Sequence, residues 1–469
     1  MIDCPKQSSK FVFDPADHRQ GCMRTRLSCG WARECAATES GVSFNQNIRD
    51  GHTELTVELP FTTNLSRAEL IQRVRNAWLR CHSTHPEIAI QISTGTELPQ
   101  RLVFEPLRSP AEAAAWLNET FRVVSDRNAR DVARMTYSRR LPTKGKRDML
   151  HVLADIYSVV QFFNHFFRTV TEVAGDRDLE VRELDYSRLE SRLPVTPVTP
   201  YEERYRPTRE QKGWAIRGAL AQTELYAARY DCSSTRPHGT HCIRLRYTEH
   251  ESRALLAALS GQKVSITFAA AAATVLSIKQ TYGRGHETGA LLGMTRNARR
   301  SVNTEAGHRV PDAADVVFLW IPFKQEWFAP CISTQETILH LARGIRTQLG
   351  PHLTSPHYIS ALSFTADRFI SNLAGQGEPV PSPQAPGFSP QGALPLRRDF
   401  ALSTAGSGHM ALYTQAARLT PVRGWACSRF GGGIMTPRGW KRFMERVKGY
   451  LGSLQFVAGR PELVAQARL

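Results

Sequence analysis

One histidine and one aspartate stand four residues apart in the run Met149-Leu150-His151-Val152-Leu153-Ala154-Asp155. A neutral imidazole takes up a proton near pH 7, so His151 is a candidate general base. Asp155 lies across a turn from that ring and is badly placed to polarise it. It is better placed to hold an arginine and fix the loop, a structural role. A histidine satisfied inside a core strand is the bland alternative, and an isolated H-x-x-x-D carries little weight in a long chain. The surroundings add to it, because 147–153 reads as a strand leading into the histidine, and the pair precedes Val159, Val160, Phe163, Phe166, Phe167 and Val170, spaced as one face of a helix. Strand, sharp exit and helix would present the imidazole at an element boundary.

The elements that must position this pair are legible along the rest of the chain. Residues 54–59 alternate as in a strand, and Ser66-Arg67-Ala68-Glu69 opens a helix with Leu70, Ile71, Val74, Ala77, Trp78 and Cys81 on one face. His85-Pro86 ends it, since a residue before proline avoids helical geometry. Residues 88–92 read as a strand and 111–121 as a helix. Residues 185–212, with Pro194, Pro197 and Pro200 among charges, read as a linker that resists packing. Beyond it come a strand at 243–247, a helix at 249–259, an Ala-rich helix at 264–282 capped by Ser265 or Thr267, and apolar strands at 289–294 and 316–323. A Pro/Gly-rich loop at 375–396 is followed by strands at 410–416 and 423–430. A closing amphipathic helix runs from Pro437 through Leu451. This order predicts an α/β protein of two-layer α+β sandwiches. Residues 1–45 form a loose arm, 46–190 a first lobe carrying the His/Asp motif, 191–215 the crossing linker, and 216–469 a second lobe.

Composition narrows the partners. The chain has 469 residues, 41% hydrophobic and 22% charged, which is ordinary for a globular protein of two or three cores. Its formal charge of +17 is spread thinly (Arg139-Arg140, Arg299-Arg300, Arg397-Arg398), favouring a polyphosphate cofactor over nucleic acid. The nine cysteines show no C-x-x-C or zinc-finger spacing, and His238, His241 and Cys242 are a poor ligand set, so reduced thiols and no metal are expected. Met1-Ile2-Asp3-Cys4-Pro5-Lys6 lacks the apolar core of a signal peptide. The longest apolar stretch, 264–278, is shorter than the ~20 residues that span a bilayer. A buried helix, no membrane span and a soluble cytoplasmic protein are expected.

Taken together, strand–His151-x-x-x-Asp155–helix, the Pro-rich crossing and a second α/β half resemble the chloramphenicol-acetyltransferase-like superfamily. That group holds peptide condensation domains, plant alcohol acyltransferases and fungal secondary-metabolite acetyltransferases such as trichothecene 15-O-acetyltransferase. Leu79-Arg80-Cys81-His82-Ser83-Thr84-His85-Pro86 is similar to the helix-then-His-Pro segment of these proteins, and 264–282 to the Ala-rich helix of their second half. Gly293-Met294-Thr295-Arg296-Asn297-Ala298-Arg299-Arg300 resembles the "Gly-Met-Pro-Val-Asn-x-Arg-Arg" turn of the fungal branch. The likeness covers roughly residues 50–455. Two departures stand out: Leu150 replaces the first His of the condensation-domain motif, and Ile156 replaces the glycine after its aspartate. Glycine permits positive φ there and isoleucine disfavours it.

The resemblance implies two lobes forming a pseudo-dimer around a central tunnel, with His151 near its middle. Acetyl-CoA or another acyl-CoA would enter from one side, and an acceptor alcohol or amine of a secondary metabolite from the other. His151 would deprotonate the acceptor, giving a direct O-acetyltransferase reaction in a chain sufficient as a monomer. Ser389 and Ser403 are candidate oxyanion donors. Arg299 and Arg300 are candidates for the CoA phosphates, and one of them is equally a structural partner for Asp155. Ile156 motivates an alternative, a cyclase or pericyclase reusing the cavity without acyl transfer; a stand-alone condensation enzyme served by a carrier protein and a non-catalytic binding protein are others. Gly387-Phe388-Ser389-Pro390-Gln391-Gly392 is a poor nucleophile elbow, and no dinucleotide or P-loop glycine pattern is present.

Overall fold

The computed structural model describes residues 12–13, 30–35, 39, 59, 61–92, 101–125, 156–217, 247–282, 288–302, 310, 314–359, 387–388, 399–401, 411–414 and 437–454. Strands β1 (Val12–Phe13) and β2 (Trp31–Glu34) come first. These residues, expected in a loose arm, are instead part of a sheet. Arg33 is buried, with its guanidinium on both oxygens of Glu39 and its Nε donating to the Pro194 carbonyl at 3.3 Å. A buried, doubly bonded ion pair of that kind anchors a segment because removing one partner strands the other charge.

Strand β3 (Phe61–Thr63) leads into α1 (Arg67–Thr84). The Ser66 hydroxyl accepts from the Glu69 amide at 3.2 Å, as the capping sequence requires, and His85-Pro86 ends the helix. The stretch at 88–92 is a short 3-10 turn and a two-residue strand, β4 (Gln91–Ile92), rather than one continuous strand. Strand β5 (Arg101–Phe104) completes an antiparallel sheet in the order β1-β2-β5-β4, and α2 (Pro110–Thr120) follows under a Ser109 cap. The apolar face foreseen after Asp155 is α3 (Ile156–Glu172). Its Phe162, Phe166, Phe167 and Val170 pack on Ala77 and Cys81 of α1. Trp78 meets Phe162 and Phe166 edge-on at 5.9 and 6.0 Å, the preferred approach of two quadrupolar rings.

The proline-rich segment does pack, contrary to the expectation for it. It forms α4 (Leu189–Arg192), α5 (Val198–Tyr205) and α6 (209–217), with Leu189, Leu193, Tyr201 and Ala215 buried. Prolines end or begin these short helices without interrupting any, and Arg206 takes a left-handed φ of 42° to turn the chain out of α5.

The second half starts with α7 (Glu249–Gly261), entered through a reciprocal Thr248/Glu251 capping box. Helix α8 (Ile266–Tyr282) is capped by Ser265. Its Ala269 through Ala273 and Val275 are all buried. Small side chains let it be surrounded by α7, the sheet below and two further helices, α9 (Thr334–Thr354) and α10 (Pro437–Ser453). The sheet is β6 (Gly289–Asn297) between antiparallel β7 (Ala314–Pro322) and parallel β8 (Gly387–Phe388). Gly289 is required where β6 begins, because a Cβ there would lie 2.5 Å from the Ile321 carbonyl and 2.6 Å from the Trp320 ring. Among the described residues no single helix is long and apolar enough to cross a membrane.

A third sheet joins the two ends of the chain. Strands β9 (Asp399–Ala401) and β10 (Ala411–Thr414) pair with each other, and β10 pairs antiparallel with β3, Leu412 opposite Thr63. Strand β9 also packs on α3, the helix that follows the His/Asp motif.

Candidate active site

His151 and Asp155 lie outside the described residues, as do Ser389 and Ser403; the structure describes the helix that begins immediately after the pair. Ile156 is the first residue of α3. A residue that starts a right-handed helix needs no positive φ, so isoleucine is compatible with the backbone at that point. The departure from glycine therefore loses its force as a reason for a repurposed site.

Arg299 comes to the first turn of α3 from the other half of the chain. It stands just beyond β6, in a turn where its amide donates to the Asn297 side-chain oxygen at 3.1 Å. Its guanidinium donates to the Ser158 hydroxyl at 2.5 Å and lies 5.9 Å from the Tyr157 ring centre. A guanidinium suits this task because its planar fork bonds in several directions while its face stacks on an aromatic ring. Arg300 occupies the same 3-10 turn. Arg296, three residues earlier, reaches the other way. Its guanidinium bonds the His352 and Ser355 carbonyls at the end of α9 and lies over the Tyr358 ring.

A second polar group sits beside this helix and carries no recognisable sequence signature. The Glu87 carboxylate is 3.1 Å from His85 Nδ1, and His85 Nε2 is 2.9 Å from Nδ1 of His165 on α3. With Glu87 ionised, one proton on each bond gives two neutral imidazoles, His85 donating to the carboxylate and accepting from His165. His85 and Glu87 are both buried. The signal that could have found them is the His-Pro-Glu run, read above only as a helix stop. Nearby, burial pushes the Tyr186 hydroxyl up to about 12 while it bonds His82 Nδ1 at 3.0 Å and accepts from the Leu107 amide. These buried networks hold α1, α3 and the segment around 186 in register. Among the described residues no group of three His, Cys, Asp or Glu side chains is arranged to hold a metal ion.

In architecture, two α/β halves joined by a shared sheet are similar to acyl-transferring and condensing proteins of the chloramphenicol-acetyltransferase type. Trichothecene 15-O-acetyltransferase TRI3 from Fusarium sporotrichioides superposes with a TM-score of 0.66 at 14% identity, over 95% of this chain and 98% of that one. The first condensation domain of the calcium-dependent antibiotic synthetase follows at 0.50 and 12% identity, over 90% and 96%. No protein-family model matches the chain. The acyl-CoA-dependent acyltransferase MAC1 of Pseudozyma antarctica (strain T-34) is 31% identical over 450 residues, 79% of this chain and 81% of that protein. MAC1 of Mycosarcoma maydis is 29% identical over 83% and 79%. The chain belongs to this family of fungal acyl-CoA-dependent acyltransferases.

Proposed function

We propose that this protein transfers an acyl group, acetyl in the first instance, from acyl-CoA to a hydroxyl of a secondary metabolite, with His151 as general base. The observation that carries the reading is the family relationship over four-fifths of the chain. Arg299 supports it, since it clasps the helix turn that directly follows Asp155. In this reading the imidazole of His151 stands in a tunnel between two lobes of a monomer. It accepts the acceptor's O–H proton as that oxygen bonds the thioester carbonyl carbon. The tetrahedral oxyanion is met by a hydroxyl donor, with Ser389 and Ser403 as the candidates. The C–S bond then breaks, and the imidazolium returns its proton to the departing thiolate, giving ester and free CoA without an acyl-enzyme. Arg299, engaged by Ser158, Asn297 and Tyr157, is a positioning residue in this scheme, and Asp155 keeps a structural role in it.

The test follows free thiol on mixing the protein with acetyl-CoA and a panel of polyol and terpenoid alcohols. Acyl transfer requires acceptor-dependent thiol release that is lost in His151→Ala. Product formed without CoA consumption would instead identify a cyclase and sink the proposal.

A further inference from the structure

The helix at 209–217 and the turn that follows α9 line an open cleft of about 410 Å3, formed by Glu210, Gln211, Trp214, Arg217, Ser355 and His357. That volume is in the range of small-molecule sites. The helix begins with Thr208 and Gln211 satisfying each other's amides, at 3.2 and 2.9 Å. From there positions 210, 211, 214 and 217 recur at three- and four-residue intervals, so they share one face.

What these residues have in common is spare bonding capacity. Trp214 is 44% exposed although it is the largest side chain on the helix, and its ring is fixed edge-on against Tyr358 at 5.4 Å. Among the described residues the Trp214 ring N–H, the Arg217 guanidinium and the Glu210 carboxylate make no hydrogen bond or ion pair. Gln211 commits its oxygen to the Thr208 amide and keeps its NH2 group available. His357 has Nδ1 on the Tyr201 hydroxyl at 2.8 Å. With that hydroxyl donating, the imidazole carries its proton on Nε2, the ring nitrogen left over.

A flat indole, a guanidinium and an imidazole beside an amide and a carboxylate match a purine nucleotide. The base stacks on Trp214, as bases do on aromatic side chains. The Glu210 carboxylate accepts from an exocyclic amine and the Gln211 amide donates to a ring nitrogen. Arg217 and His357 meet phosphate oxygens, for which a guanidinium fork is well shaped. We propose that this cavity binds the phosphorylated adenosine head of acyl-CoA. The proposal rests on the acyl-CoA dependence argued above. Its placement suits that substrate: Arg296 ties the cavity's Ser355 to the end of β6, three residues before Arg299 clasps the start of α3. One strand end thus connects the cleft with the first turn of α3.

The experiment measures calorimetric binding of CoA and of adenosine 3′,5′-bisphosphate to the full chain and to Trp214→Ala and Arg217→Gln. The bisphosphate should bind the wild type and be displaced by CoA. Each substitution should weaken both ligands by about tenfold, the size of one lost base stack or phosphate contact. Arg217 is solvent-exposed, so its variant keeps the test open should Trp214→Ala fail to fold. Unchanged CoA binding in folded Arg217→Gln, or no bisphosphate binding to the wild type, overturns the proposal. Bisphosphate binding that CoA does not displace also overturns it and identifies a site for a free nucleotide. Because binding needs no acceptor, CoA capture that depends on Arg217 would stand even if no acyl transfer were found.

Discussion

Arg299→Ala separates two uses of one cation. In the structure its guanidinium bonds Ser158 and lies against Tyr157, both on the first turn of α3. A hydrogen bond from a charged donor contributes roughly 1.5–3 kcal/mol, and a partly exposed cation–π contact about 0.5–1 kcal/mol. Some 2–4 kcal/mol therefore fixes the start of the helix that follows Asp155 in sequence. If that positioning is expressed only in the transition state, kcat should fall roughly 30- to 1000-fold, at about 1.4 kcal/mol per factor of ten. The KM for acyl-CoA should stay within about threefold, since uniform binding is untouched. Arg299→Lys should recover little, because an ammonium lacks the planar fork. Ser158→Ala should lose part of the same energy, and the double variant should be no worse than Arg299→Ala alone. Thiol-release kinetics on the four proteins measure all of this. A raised KM for acyl-CoA with unchanged kcat would place Arg299 on the cofactor phosphates and refute the positioning argument.

Three further outcomes test the fold. Glu87→Leu leaves the His85 N–H buried without its carboxylate and should cost about 1–3 kcal/mol in urea titrations, whereas a loss below about 0.5 kcal/mol would mean the chain to His165 is not coupled. Gly289→Ala forces a Cβ against the Ile321 carbonyl and the Trp320 ring and should lower the unfolding free energy by about 1–3 kcal/mol in the same titrations, while Gly261→Ala, with open space around it, should not. The Tyr186 hydroxyl titrates near 12 folded against about 10 unfolded, so its contribution is complete below pH 10 and disappears as pH rises through 12. At most about 2–3 kcal/mol should be lost over that window, and Tyr186→Phe should flatten the pH dependence there; an unaltered profile in the variant would show that this hydroxyl is not the source.

Local signals served well where one residue's chemistry decides the structure. Ser66 and Ser265 each cap the helix that follows, and Pro437 stands at the first turn of the last helix. The 3.6-residue spacing from Val159 to Val170 identified α3, and Ala269–Ala273 identified a buried helix. Helix α9 has both signals of its kind, a Ser333/Glu336 capping box and a buried face of Ile338, Leu341, Ala342, Ile345 and Leu349 at helical spacing, and the sequence reading does not use them. Prolines at 194, 197 and 200 suggested a loose linker, yet Leu189, Leu193 and Tyr201 are buried by partners far away in sequence. The cleft beside Trp214 is illegible for the same reason: two of its six lining residues, Ser355 and His357, are far away in sequence. Arg299 was named from a turn motif, but only three-dimensional contact could reveal Ser158 as its partner.

The pairing of Leu412 with Thr63 has a consequence for biosynthesis. Phe61, Thr62 and Thr63 emerge from the ribosome about 350 codons before the segment that completes their sheet. Until then that edge offers unpaired amides to any passing strand, a hazard that rises with concentration. Closing so long a loop is also slow. Overproduction of this protein should thus be limited by how quickly the strands at 399–401 and 411–414 arrive, and a nascent chain halted at residue 300 should be a client of chaperones.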